Sequence, residues 1–167
     1  METTNSKSGY ANHPTLIEIL NDKKLKVGFR MFLKSEFSAE HLDFCAKVEK
    51  YKNIKNTETR NQRMFQICDE YILPGSINQI NLDHFTRQQI IQHMATNDIP
   101  NIDIFNKAQK YVFNNMENDA YQRFICSKYY DICCRSSRRT PCQFLHDIFH
   151  QRKLKQSFPR RPVKGIV

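Results

Sequence analysis

The chain of 167 residues contains no tryptophan, and only four of its residues are glycine and six are proline. Such low contents exclude a collagen-like chain and a Gly/Pro-rich disordered chain. They also leave few of the turn residues that an all-β protein needs, so an all-α fold is favoured. The length is that of one domain with room for a tail.

Several motifs that carry chemistry are missing. Four scattered glycines do not form a phosphate-binding loop, and there is no Gly-x-Ser-x-Gly nucleophile motif and no Cys-x-x-Cys pair. We therefore predict that the chain is not an enzyme, has no cofactor, and serves as a binding or regulatory module.

Long apolar runs are also missing. Residues 1–13 are polar and no stretch approaches the roughly 18 apolar residues of a membrane span, so we expect neither a signal peptide nor a transmembrane helix. The six cysteines are then expected to be free thiols in a reducing compartment. These observations predict a cytoplasmic protein.

Positive charge is concentrated at one end. Of the net charge of +9, residues 132–167 carry +8 and residues 1–131 carry +1. Stacking aromatics are not interleaved with these basic residues along a groove, so we do not expect a nucleic-acid partner.

Apolar residues recur every three to four positions from Pro14 to Ile132, without strand alternation or an internal repeat. The pattern predicts eight or nine short helices. Breaks are predicted at residues 53–59, at Pro74-Gly75, at residues 97–101 and at Asn118-Asp119. Predicted helix N-caps are Ser38, Asp83 or Thr86, and Asp103.

We divide the chain into three parts. Residues 1–13 are predicted to be a disordered leader, residues 14–132 a helical domain, and residues 133–167 a basic tail. Within the tail, residues 133–141 are predicted to be a basic linker that precedes a short amphipathic helix. Its apolar face is formed by Phe144, Leu145, Ile148 and Phe149.

Three stretches of the domain resemble one family in both order and spacing. They are FRMFLKSEFSAEHLDF at residues 29–44, INLDHFTR at residues 80–87, and FNKAQKYVFNNMENDAYQRFICS at residues 105–127. They resemble the signatures of RGS domains, the regulators of G-protein signalling. The resemblance covers about residues 14–132 and implies about nine helices in two subdomains, a four-helix bundle and a subdomain of the terminal helices.

The resemblance also implies a function. RGS domains bind the GTP-loaded α subunit of heterotrimeric G proteins and accelerate its GTP hydrolysis by holding its switch regions in the transition-state conformation. They donate no arginine, since the α subunit carries its own. We expect a monomeric GTPase-activating protein of this kind. The alternative is an RGS-like scaffold or membrane adaptor that binds a partner without accelerating hydrolysis.

Residue by residue, the resemblance implies a surface that binds the switch regions. Asn81 would orient the catalytic glutamine of the α subunit, Asp119 would accept hydrogen bonds from switch amides, and Arg123 would orient Asp119. The implied surface comprises Glu36, Phe37, Ser38, Glu40, His41, Asn81, Asp83, His84, Arg87, Asn115, Asp119, Ala120 and Arg123.

Four of these residues also have a purely structural interpretation. Asn81 could cap its own turn, Asp119 and Arg123 could be an ordinary i,i+4 pair, and Glu40 could be a first-turn carboxylate. The chain departs from the family at three positions. His41 replaces an asparagine, Asn115 replaces an apolar residue, and Cys45 replaces a buried tryptophan.

For the tail, three roles stay open. It could lie on an anionic membrane at the inner face of the plasma membrane, with Cys133 and Cys134 palmitoylated beside Arg135, Arg138 and Arg139. It could instead dock on the domain, or it could be solvated. We expect no metal site, although Cys142, His146 and His150 share one helical face and Cys133 or Cys134 could add a ligand.

Overall fold

A computed structural model of the protein describes residues 13–96 and 101–135. In these two ranges the regular structure is entirely helical, which confirms the all-α fold class. The α-helices are α1 (Leu16–Asn21), α2 (Lys23–Ser35), α3 (Ala39–Lys52), α4 (Thr57–Ile67), α5 (His84–Ala95), α6 (Asn106–Asn115), α7 (Tyr121–Ile125) and α8 (Lys128–Arg135).

Two π-helical turns extend this set. One, Cys68–Ile72, continues α4, and the other, Met116–Ala120, joins α6 to α7 in one continuous helical run. In each turn an amide bonds to the carbonyl five residues back, Leu73 to Cys68 and Tyr121 to Met116. Single π-turns are frequent at functional sites, where they shift the face that a helix presents.

Side-chain caps explain where several helices begin. At α1, the Thr15 hydroxyl accepts from the Glu18 amide and the Glu18 carboxylate accepts from the Thr15 amide, which makes a capping box. Asp22 accepts from two amides at the start of α2, and Asn56 accepts from the Thr59 amide at 2.8 Å at the start of α4. Helix α4 therefore begins at Thr57, inside the predicted break at residues 53–59.

Two other predicted boundaries are wrong. The N-cap of α6 is Phe105 rather than Asp103, whose carboxylate instead accepts from the Asn106 side-chain amide at 2.6 Å. The predicted interruption at Asn118-Asp119 is absent, because the π-turn carries the helix through these residues. Ser38 is the N-cap of α3 as predicted, but its side chain makes no capping bond.

The terminal helices form one packing group. Helix α2 packs against α1, α7 and α8. Their buried rings meet edge to face, with the centroids of Phe29 and Phe124 5.1 Å apart and those of Phe124 and Tyr130 5.5 Å apart. These rings tie α7 and α8 to α2.

Helices α3, α4, α5 and α6 form the second group. Its core contains Phe44, Tyr51, Tyr71 and Phe105, all at most 1% exposed, and the Tyr51 hydroxyl donates to the Asn101 carbonyl at 2.8 Å. Cys45, at the position of the family's tryptophan, is buried beside a cavity of about 550 Å³ between α1, α2, α3 and α6.

Some predictions fall outside the described residues. These are the leader up to residue 12, part of the break at residues 97–101, and the tail from residue 136, including its amphipathic helix and Cys142, His146 and His150. Within the described part, no helix has both the length and the apolar character that a membrane span requires.

Candidate functional site

A cavity of about 240 Å³ lies where the two packing groups meet. Three segments line it: the end of α2 with the start of α3, the stretch before α5, and the run from the end of α6 through the π-turn into α7. Apart from Leu33 and Met116, its lining consists entirely of residues that the resemblance assigned to the switch-binding surface: Ser38, His41, Asn81, Asn115, Asp119, Ala120 and Arg123.

The turn between α2 and α3 has an unusual backbone. Phe37 has φ of +56°, in the left-handed region that non-glycine residues rarely occupy, and its side chain is 94% exposed. The turn is held by the Leu33 carbonyl, which accepts from the Glu36 and Ser38 amides, both at 3.0 Å. A bulky apolar ring is thus presented to solvent next to Ser38, which lines the cavity.

His41 is fixed at the start of α3. Its Nδ1 donates to the Ser38 carbonyl at 3.2 Å and lies 3.4 Å from a Glu40 carboxylate oxygen. The carbonyl only accepts, so in this bond Nδ1 carries the proton. Glu40 is mostly covered, with a side chain 23% exposed, and sits beside His41 at the edge of the cavity.

Asn81 is an exposed residue between two buried ones. Ile80 is fully buried and Leu82 is 7% exposed, so the backbone on either side is anchored in the core. Among the described residues the Asn81 side-chain amide has no hydrogen-bond partner. It does not cap α5, because Asp83 does so by accepting from the Thr86 amide at 2.8 Å. That bond lowers the pKa of Asp83.

Asp119 and Ala120 lie in the π-turn. Ala120 is buried and contributes only a methyl group to the cavity wall, whereas the Asp119 side chain is 70% exposed. Arg123 donates to Asp119, as the i,i+4 spacing predicts. A carboxylate oriented by a guanidinium in this way faces outward beside a small residue, which leaves room for a partner's backbone.

Arg123 has a second partner that the sequence did not indicate. Its Nε and Nη2 donate to the two carboxylate oxygens of Glu36 at 3.2 and 2.8 Å. This two-point contact raises the pKa of Arg123. It also joins the turn between α2 and α3 to α7, across the edge of the cavity.

Arg87 is not a surface contact, which corrects its predicted place at the rim. Its side chain is buried, and it donates to the carbonyls of Ile72 and Ile80, the second at 3.0 Å. Asp83 and His84 are exposed at the start of α5, although Asp83 is engaged as the helix cap.

The cysteines proposed for lipidation lie in α8 rather than in a linker. Cys133 is buried, its sulfur lies 3.8 Å from the Lys24 carbonyl, and burial raises the pKa of its thiol to about 12. Attachment of a palmitoyl chain to Cys133 would require α8 to leave α2, whereas Cys134 is exposed. Arg138 and Arg139 lie outside the described residues.

Among the residues that the structure describes, no three His, Cys, Asp or Glu side chains form a group that could hold a metal ion. The cavity is lined by hydrogen-bonding side chains, and the exposed ring of Phe37 lies next to Ser38 in the chain. Such groups can donate hydrogen bonds to, and accept them from, polar groups of another molecule.

Comparisons with known proteins agree with the signatures. The family model of the regulator of G protein signaling domain matches residues 15–133. Over 134 residues the chain is 34% identical to regulator of G-protein signaling 5 of Rattus norvegicus, covering 74% of this chain and 72% of that protein. It is 40% identical over 100 residues to regulator of G-protein signaling 1 of Xenopus tropicalis, a match that covers 60% of this chain and 48% of that protein. The chain therefore belongs to the RGS family of G-protein signalling regulators.

Proposed function

We propose that this protein is a GTPase-activating protein for the GTP-bound α subunit of a heterotrimeric G protein. The observation that carries the proposal is the cavity of about 240 Å³, which brings together Asn81, Asp119 and five other residues of the implied switch-binding surface from three separate segments. The RGS-named relatives support the same assignment.

Hydrolysis of GTP by an α subunit depends mainly on positioning and electrostatics, so a partner that orders mobile switch loops removes part of the barrier. An acceleration of about a hundredfold corresponds to only about 2.7 kcal/mol. The Asn81 amide, which both donates and accepts, would orient the catalytic glutamine, and Asp119 would accept from switch backbone amides.

The arginines of the site support activation without a donated arginine. A guanidinium that enters another protein's catalytic centre must be available to the transferring phosphate. Arg123 is already bound by Glu36 and Asp119, and Arg87 is buried against two carbonyls. We infer that the protein contributes order to the α subunit and that the catalytic groups belong to the α subunit.

The test is single-turnover GTP hydrolysis by a panel of purified α subunits, with and without this protein. We expect acceleration of at least one α subunit, and we expect Asp119→Ala to remove most of it. Asn114→Ala is the matched control, because Asn114 is an exposed residue of α6 that does not line the cavity. Binding to an α subunit in a transition-state mimic without any acceleration would contradict the proposal and favour the scaffold alternative.

A further inference from the structure

Arg87 is a buried cation without a carboxylate partner among the described residues. Its side chain is 9% exposed, and its guanidinium donates to two main-chain carbonyls instead. Burying a charge is costly unless hydrogen bonds compensate, and neutral carbonyls compensate less than a carboxylate does. The guanidinium of Arg87 therefore ties two main-chain carbonyls together.

The two carbonyls lie at either end of the segment that leads to Asn81. The Ile72 carbonyl ends the π-turn Cys68–Ile72, and the Ile80 carbonyl belongs to the peptide group that joins Ile80 to Asn81. Arg87 therefore closes residues 73–80 into a loop. We call Arg87 and these two carbonyls the Arg87 latch.

Other bonds hold the same loop against the π-turn. The Ile80 amide donates to the Tyr71 carbonyl at 3.0 Å, and the Asn78 amide donates to the Glu70 carbonyl at 3.2 Å. The Arg87 latch adds a second restraint at Ile80, because Arg87 donates to the Ile80 carbonyl, which lies on the Asn81 side of the residue. With both polar groups of Ile80 bonded, the direction in which the chain enters Asn81 is set.

The Asn81 side chain makes no hydrogen bond to the described residues. Within the described residues, no hydrogen bond of its own amide therefore fixes its position. The position of its Cβ follows from the backbone alone, and a displacement of about 1 Å at a positioning group is sufficient to lose much of its effect on rate.

We propose that Arg87 is a positioning residue for GTPase activation: through the Ile80 carbonyl it holds the backbone that presents Asn81 to the α subunit. This inference rests on the proposed function. In this proposal Arg87 does not contact the α subunit. The Arg87 latch instead connects the π-turn after α4 to Asn81, the residue that would orient the catalytic glutamine.

The test compares Arg87→Lys with Arg60→Lys. Arg60 is a matched control because it also donates to a main-chain carbonyl, that of Ile54 at 3.0 and 2.7 Å, in the loop between α3 and α4. Lysine keeps the charge but replaces the rigid, planar fork of donors by one ammonium group on a flexible stem, so we expect it to hold the two carbonyls less firmly. We expect Arg87→Lys to reduce the maximal acceleration of GTP hydrolysis about tenfold while the concentration for half-maximal effect changes less than threefold, and Arg60→Lys to leave both values unchanged.

A double mutant separates positioning from general destabilisation. If Arg87 acts through Asn81, adding Arg87→Lys to Asn81→Ala produces no further loss of acceleration. Additive losses, or equal losses in Arg87→Lys and Arg60→Lys, would overturn the inference. If the wild-type protein accelerates no α subunit, it is the proposed function that fails.

Backbone dynamics test the latch without any α subunit. In the wild-type protein, NMR order parameters at Ile80 and Asn81 are expected to match those of the helices, near 0.85, and to fall in Arg87→Lys. Values below about 0.6 in the wild-type protein would overturn the inference even if Arg87→Lys does not fold.

Discussion

The Nη2 atom of Arg123 lies 2.8 Å from Oε2 of Glu36, a residue 87 positions earlier in the chain. The same guanidinium also binds Asp119. One arginine therefore connects the turn that carries Phe37 with the π-turn that carries Asp119. These contacts help to hold the two segments together at the edge of the cavity.

Glu36→Gln tests this connection. A neutral amide keeps the shape of the side chain but weakens both contacts with Arg123, so the turn between α2 and α3 is held less firmly. Because the pair is partly exposed, we expect the free energy of unfolding to fall by less than about 1 kcal/mol. Single-turnover assays should show an activation reduced about threefold to fivefold, whereas Glu117→Gln, in the neighbouring π-turn, should have no effect. Equal rates for Glu36→Gln and the wild-type protein would contradict the role of the contact.

The thiols of the described residues should differ in reactivity. Burial raises the pKa of Cys45, Cys68 and Cys133 to about 12, so at pH 8 these thiols are neutral as well as shielded. We expect an alkylating reagent to modify Cys126 and Cys134 first, because both are exposed. Peptide mapping by mass spectrometry after brief labelling measures the order. Labelling of Cys133 as fast as Cys134 would show that α8 does not stay packed on α2.

Asp83 should contribute to stability in a pH-dependent manner. Its hydrogen bond from the Thr86 amide lowers its pKa below the ordinary value of 3.8. The carboxylate therefore stabilises the folded protein fully above pH 3.8, and this contribution is lost as the pH falls through the lower folded-state pKa. Asparagine is also a good N-cap but does not titrate. We expect the wild-type protein to melt at a higher temperature than Asp83→Asn at pH 7, and the two melting temperatures to converge towards pH 3. A difference that stays constant with pH would contradict this account.

We expect membrane association to depend on residues 136–167. A truncation after Arg135 keeps α8, whose Cys133 is part of the core, and removes most of the basic excess. We expect it to lower binding to vesicles that contain anionic lipid while leaving GTPase activation in solution unchanged. Vesicles of neutral lipid are the control. Undiminished binding of the truncated protein to anionic vesicles would contradict a membrane role for the tail.

The sequence indicated residues that line the cavity, but it did not indicate the contacts that these residues make with distant parts of the chain. Apolar periodicity indicated the helices, and the three signatures indicated Asn81 and Asp119. By contrast, the contact between Glu36 and Arg123 joins distant parts of the chain, which a local pattern does not report. The π-turn at Met116–Ala120 was mistaken for a break because asparagine and aspartate favour turns.

The burial of Arg87 and Cys133 was also not predicted from the sequence. An arginine in a polar stretch predicts an exposed side chain, because arginine is seldom buried without a partner. Here its partners are main-chain carbonyls, which the sequence does not distinguish from any others. Cys133 stands next to a basic run, yet its side of α8 faces α2.

We expect the protein to accelerate GTP hydrolysis through Asn81. The most direct measurement is single-turnover hydrolysis by a responsive α subunit with the wild-type protein, Asn81→Ala and Asn114→Ala. Because Asn81 is exposed and unbonded within the described residues, Asn81→Ala should fold with unchanged stability. The account predicts at least a tenfold loss of acceleration for Asn81→Ala and none for Asn114→Ala. Wild-type acceleration by a folded Asn81→Ala protein would contradict it.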